Sequence, residues 1–243
     1  MKRLIINSDD FGMTEGVTLG TIATYLDKGL SSTTCMMNMP YAGYALHEAA
    51  KHPGLGVGIH LVLTMGKPIL GQVNSLTDEQ GFFRKKDEYY EGSTTADHEE
   101  LYQEWKAQIE KFIQIAGKLP THIDSHHHMH GQPEHQAVSL RLAEEYGLRL
   151  RQETLFDGRY DFVRCEFGYY GDDVTVESLI ALLDACDDEV MELMVHTAFV
   201  DELLCEVSTY ALPRMKEMAV LRGKKFQNYL AEKGIQLINY GDL

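Results

Sequence analysis

The sequence predicts an α/β barrel of parallel strands ringed by helices. Short β-branched runs alternate with longer, helically spaced segments about seven times along 243 residues, the pattern of repeated βα units. No repeat, low-complexity tract or linker divides the chain, and this length suits one barrel, so a single domain over residues 1–243 is expected. Ionisable residues also recur where the strand-like runs end, and in such barrels chemistry sits at that face.

The first run, "RLIIN" (3–7), is a strand. "GVTLGTIATYLDKG" (16–29) carries apolar residues at helical spacing and stops at Gly29. "STTCMMN" (32–38) is a second strand, "AGYALHEAAKHP" (42–53) a helix ended near Pro53, and "GLGVGIHLVL" (54–63) a third strand. A polar, Gly-containing excursion over 66–95 interrupts the alternation, and a connection so long is functional or mobile. Helical spacing returns over 96–117, with Gly117 past its end. "THIDSHHHM" (121–129) is a fourth strand with its exit loop, 134–147 a helix and "LRLRQ" (148–152) a fifth strand. The helix 175–186 leads to a sixth strand, 190–199. One or two helices over 214–234 lead to a last strand, 235–240.

Composition narrows the function. A formal net charge of −15 repels a polyphosphate backbone, so nucleic acid is excluded as a partner. No apolar run approaches the roughly 18 residues a membrane span needs, and the N-terminal run is too short for a signal peptide. Cys35, Cys165, Cys186 and Cys205 are far apart without a C-x-x-C pair, which reads as reduced, buried thiols of a cytoplasmic protein. No dinucleotide, phosphate-loop or serine-elbow motif is present.

Histidine is more informative. Five of the eleven histidines lie between His122 and His130. In an extended segment alternate residues share a face, so His122, Asp124, His126, His128 and His130 have one parity. The barrel would bring two or three of them to the same end as Asp9 and Asp10 after strand one, His60 late in strand three and His196 near the end of strand six. A lone histidine in an apolar strand usually makes a structural hydrogen bond; this cluster reads as a site for a divalent metal. Two histidines lean away from magnesium toward zinc, nickel or cobalt, without fixing the ion. Met36, Met37 and Met39 read as core, and the charges from Glu99 to Lys111 as a solvated helix face.

Such a site suits hydrolysis, because a metal lowers the pKa of bound water and polarises a carbonyl. It would also divide labour within "NSDDFG" (7–12): one aspartate coordinates while its neighbour takes the water's proton. A regular strand would point the two oppositely, so both face the site only if the backbone leaves strand geometry by Asp9, before the Phe11–Gly12 turn. A histidine across the site, His196, could donate a proton to the leaving group.

At "NSDDFG", "GIHLVLTMGKPI", "PTHIDSHHHMH", "VHTAFVD" and "STYALPRMKEMAVL" the sequence resembles the YdjC-like carbohydrate deacetylases, above all chitooligosaccharide deacetylases acting on diacetylchitobiose, nearly end to end. The resemblance implies a distorted (β/α) barrel, often a homodimer, with one divalent ion on Asp10, His60 and His126 and Asp9 as base. It implies removal of acetyl from an N-acetylglucosamine unit of a small oligosaccharide. His196 is the expected acid, with His128 as substitute acid or ligand. Lys67, His128 and Asp124 are the expected substrate contacts, Lys67 either on the sugar or on a phosphate it carries. The alternatives are a non-catalytic metal-containing sugar-binding relative and a metal phosphoesterase, which would need a second, carboxylate-bridged ion.

Overall fold

Every predicted strand enters one sheet. In the computed structural model, which describes residues 2–152, 163–171 and 174–243, the strands and helices run in chain order as follows. β1 (Arg3–Phe11), α1 (Glu15–Leu26), β2 (Ser32–Cys35), α2 (Ala42–Ala49) and β3 (Gly56–Leu61) form the first units. The excursion then holds α3 (Lys86–Tyr90), followed by α4 (His98–Ala116), β4 (His122–Ser125), a 3-10 turn (His126–Gly131), α5 (Gln136–Tyr146) and β5 (Arg149–Leu150). The remainder is β6 (Arg164–Glu166), α6 (Val176–Asp184), β7 (Val190–Val195), α7 (Glu202–Val207), α8 (Leu212–Arg222), α9 (Lys224–Lys233), β8 (Gln236–Leu237) and a closing 3-10 turn (Tyr240–Asp242).

All pairings among these strands are parallel, in the order β5-β4-β3-β2-β1-β7-β6, with β8 on the start of β1. The sheet curls into a distorted barrel wrapped by helices, and among the described residues no pairing joins β5 to β6. β6, α3 and α7 were not anticipated from sequence, since three to six residues are too few to display a period. Most predicted strands are shorter than their apolar runs, because pairing ends where the chain turns toward the next helix.

The helices form for local reasons. Thr14 caps α1, accepting from the Val17 amide at 3.2 Å, and Asp97 caps α4. Gly117, Gly147 and Gly234 close α4, α5 and α9 in left-handed conformation. α4 buries Leu101, Trp105, Ile109 and Phe112 on one stripe against the sheet. No described helix is long and apolar enough to cross a membrane. Cys35, Cys165 and Cys186 are buried as expected, but Cys205 is exposed on α7.

The excursion is folded onto α4. The buried Glu104 accepts from the Ile69 and Leu70 amides at 3.0 Å each, and Glu100 from the Ser75 amide at 2.8 Å. Those bonds anchor its first half, and its second half carries α3 to the mouth of the barrel. Inside the barrel the base is apolar and aromatic, with Ile5, Ile238 and Tyr240 in one cluster and Tyr240 stacked on His122 at 3.9 Å. Gly58 makes room for that histidine: a Cβ there would lie 2.5 Å from its ring. Above this floor the interior is polar and sealed from solvent.

Candidate active site

β1 does not keep its alternation to the end. Its pairing with β2 shifts register between Ser8 and Phe11, and Asp10 takes a left-handed backbone with φ 69°. Such a bulge re-aims side chains, so Asp9 and Asp10 both line the cavity at the barrel mouth. The break in pairing spans Asp9 and Asp10, where the departure from strand geometry was expected, and the left-handed backbone falls on Asp10. Gly12 follows at φ 85°, against the backbone of Ala42, where a Cβ would lie 2.9 Å from its Cα.

Register brings the second set of groups together. β3 and β4 pair with His60 beside Asp124. β4 stops at Ser125, and His127 and His128 adopt left-handed φ of 55° and 56°, so the parity of the histidine run ends there. The turn carries His126 over β3, while His130 is buried on Ser125 with Nδ1···Oγ at 2.6 Å. Among the described residues four non-glycines have positive φ, and three of them (Asp10, His127, His128) line this cavity, where such strain is common at functional sites.

Asp10 Oδ1 lies 3.2 Å from His60 Nε2 and 2.9 Å from His126 Nδ1. All three residues are buried and each directs one ligating atom into the same corner. This donor set, two imidazoles and a carboxylate, fits a divalent transition ion. His60 Nδ1 lies 2.7 Å from Asp124 Oδ1, the carboxylate–imidazole support that fixes a ligating ring. Burial opposes charge on His60, but Asp124 and Asp10 outweigh it and raise the group to about 10. Burial likewise opposes ionisation of Asp10, and Arg214 and His126 overcome it, holding its pKa well below the usual range.

Arg151 organises the other aspartate. Its Nη2 and Nη1 lie 2.6 and 2.8 Å from the two oxygens of Asp9, Nη1 also lies 2.9 Å from Asp124, and Nε lies 2.8 Å from Glu192. Glu192 in turn accepts from Tyr240. Burial raises the pKa of Asp9, yet Arg151 prevails and lowers it, so Asp9 is an anion fixed in orientation. A second group with ligand spacing, Asp9, His60 and Asp124, is thereby filled by a guanidinium that a cation would have to displace.

His196 follows β7 on the opposite wall. Its amide donates to Glu217 at 2.6 Å, and Glu217 also accepts from Tyr210 at 2.6 Å, with burial pushing this carboxyl up to about 8. Burial, then the nearby Arg214, pushes His196 down to about 3. Its ring is flanked by Tyr170 and Tyr210 at 5.6 and 5.4 Å.

Asp9, Asp10, His60, His126, His128 and His196 all line one cavity of about 650 Å³. A hollow of about 700 Å³ between α5 and β5 holds no ligand-spaced cluster among the described residues. Two expected substrate contacts are not brought there. Asp124 is fully buried beneath His60, where it orients the ring. Lys67 is exposed with its Nζ 4.5 Å over the Phe82 ring and does not line the cavity, because the excursion folds back on α4; Lys86 of α3 lines it instead. His128 sits at the mouth, 5.0 Å from the Phe167 ring. Sequence reasoning missed Arg151, Glu192, Arg214 and Glu217. For Arg151 and Glu192 the signal was a charged residue inside an apolar strand-like run, as in "LRLRQ" and "VMELMV"; Arg214 and Glu217 lie in "STYALPRMKEMAVL", a stretch that carries the family resemblance without marking which of its charges face the site.

The family model described as YdjC-like protein matches residues 3–232. A carbohydrate deacetylase of Geobacillus stearothermophilus is 41% identical over 97% of this chain and 96% of its own. One from Brevibacillus brevis is 38% identical over 99% of both. Among solved structures, a protein of Enterococcus faecalis V583, named provisionally for cellobiose-phosphate cleavage, superposes with a TM-score of 0.91 at 36% identity, covering 99% of this chain and 98% of that one.

Proposed function

The chain belongs to the YdjC-like family, and from that premise we propose that it is a metal-dependent carbohydrate deacetylase acting on N-acetylglucosamine units of short chitooligosaccharides, releasing acetate. The observation that carries this reading is the buried corner where His60 and His126 converge on one oxygen of Asp10, with Asp9 adjacent and ionised. A divalent ion held by Asp10, His60 and His126 would supply Lewis acidity and a more acidic bound water.

The chain's own groups account for the proton movements. Asp9, oriented by Arg151, accepts a proton as the water oxygen bonds to the acyl carbon. The carbon–nitrogen bond then breaks, and the nitrogen needs a proton to leave as an amine. His196 supplies it from the opposite wall. Neutral at rest, it first takes up a proton from solvent as negative charge builds on the adduct, and the proton held by Asp9 is afterwards released to solvent, which returns both groups to their starting state. The cavity mouth, with Tyr170, Phe167 and Tyr90, offers aromatic surface for sugar rings. The Enterococcus relative's name couples a disaccharide to a phosphate, and Lys86 at the rim is a cation of the right sign for one.

A two-metal phosphoesterase is disfavoured, because Arg151 already bridges the carboxylates a second ion would need. The test is acetate release from diacetylchitobiose and its 6-phosphate, with metal removed and restored. Acetate from at least one, lost on chelation and regained with zinc, nickel or cobalt, is expected. No acetate from either with any ion would overturn the reading.

A further inference from the structure

Buried polar atoms are normally partnered, and a polar atom left without a partner costs about 1–3 kcal/mol. Among the described residues a few buried side-chain atoms have none, and only two of these, Arg214 Nη1 and His196 Nδ1, belong to residues lining the cavity. Neither residue is free to swing away. Arg214 is 2% exposed at the start of α8, with its Nε on the Tyr210 carbonyl at 2.6 Å and its Nη2 on Asp10 Oδ2 at 2.6 Å. His196 is fixed by its amide on Glu217 and by its two tyrosine neighbours.

The arrangement divides the Asp10 carboxylate. Oδ1 faces the two imidazoles and Oδ2 is taken by Arg214. Nη1 and Nη2 share one planar guanidinium, so the unpartnered Nη1 lies next to the nitrogen that holds Asp10, with the Tyr210 ring 5.8 Å from the guanidinium carbon. A guanidinium nitrogen only donates, so the missing partner is an acceptor. With Nη2 on Asp10 and Nε on the Tyr210 carbonyl, Nη1 is the one arm left to donate, and a charged donor beside a ligating corner matches a single acyl or carboxylate oxygen.

Resting on the deacetylase reading, we propose that Arg214 is a further catalytic residue: its Nη1 binds the acyl oxygen of the substrate amide and afterwards an oxygen of the acetate formed from it. The same contact would strengthen as charge builds on that oxygen when water adds, which places Arg214 among the groups that stabilise the transition state. It also makes the site a receptor for small carboxylates, so acetate is retained after the amine leaves and competes with substrate.

The experiment uses the full chain reconstituted with zinc and reads acetate binding by calorimetric titration, with zinc content measured alongside. Arg214→Lys keeps a positive charge for Asp10 and removes the second arm. The expected result is wild-type zinc content, acetate affinity at least tenfold weaker and kcat reduced more than KM changes. Acetate affinity within twofold of wild type would overturn the proposal. So would loss of zinc, since Arg214 would then act only through Asp10. If Arg214→Lys does not fold, Arg214→Gln is judged by the same two readings. Wild-type protein that binds acetate through Arg214 yet deacetylates no sugar would sink the functional reading alone. Deacetylation by the wild type with unchanged acetate affinity in the variant would sink this inference alone.

Discussion

Asp10 is held where a non-glycine residue is uncomfortable. A left-handed backbone costs a residue with a Cβ about 1–2 kcal/mol, and at Asp10 it turns the carboxylate into the corner shared with His60 and His126. Asp9 stays on the strand side and is clamped by Arg151. The two acids therefore differ in partner as well as in direction. Asp9→Asn should lower kcat by about 10²–10⁴-fold, as loss of a general base does, while metal content stays at the wild-type level. Steady-state assays paired with metal analysis check this, and turnover that survives would remove Asp9 from the base role. Asp124→Asn should weaken metal binding by about 10–100-fold, the usual cost of losing the group that orients a ligating imidazole. Titration of zinc into metal-free protein measures it, and unchanged affinity would mean His60 is oriented without Asp124.

Among elements, the excursion between β3 and α4 changes meaning once its contacts are seen. Its polar, glycine-bearing sequence allowed either a mobile or a functional connection. In the fold its first half is tied to α4 through Glu104, and its second half brings Lys86 and Tyr90 to the cavity rim. Glu104→Ala would leave the Ile69 and Leu70 amides without their acceptor, at about 1–3 kcal/mol for each donor left unsatisfied. The expected outcome is a lower Tm, faster proteolysis within 66–76 and a raised KM. Limited proteolysis with mass mapping reads the second effect, and an unchanged cleavage pattern would show that Glu104 does not anchor the segment. The turn after β4 carries a similar lesson: two consecutive left-handed histidines redirect the chain, so the run "HIDSHHHMH" supplies one supporting acid, one histidine placed to hold a metal and two further cavity-lining histidines instead of a single ligand face.

At the scale of the whole molecule, the barrel interior holds a polar column from Tyr240 through Glu192 and Arg151 to Asp9, buried along its length. That column makes stability depend on pH. His122, stacked on Tyr240, is driven by burial down to about 3 from an ordinary value of 6.5. Glu217, raised from 4.5 to about 8, favours the fold toward acid, but between 3 and 6.5 the unfolded chain binds a proton at His122 that the folded chain does not, so the stability His122 contributes is complete above about pH 6.5 and is lost as the pH drops toward 3. His127, lowered to about 2 by burial and by His126, acts in the same direction. Denaturant unfolding across pH 7 to 4 should show this loss, and His122→Asn should reduce its slope by up to one proton. An unaltered slope would mean that His122 does not stay neutral in the fold.

The sequence alone determined the βα alternation, the parallel sheet and the residues that carry the candidate chemistry, because hydrophobic period and local ligand spacing are written along the chain. Asp9, Asp10, His60, His126, His128 and His196 could be singled out there, since each stands late in or just after a strand-like run. Only the tertiary structure decided what those residues meet. The bulge at Asp10 and the left-handed turn at His127–His128 break the alternation from which a facing would be read. Arg151 and Arg214 join Asp9 and Asp10 from 142 and 204 residues away. Buried charges must be paired wherever the fold brings an opposite charge, and that pairing leaves no local periodicity by which the partner could be recognised.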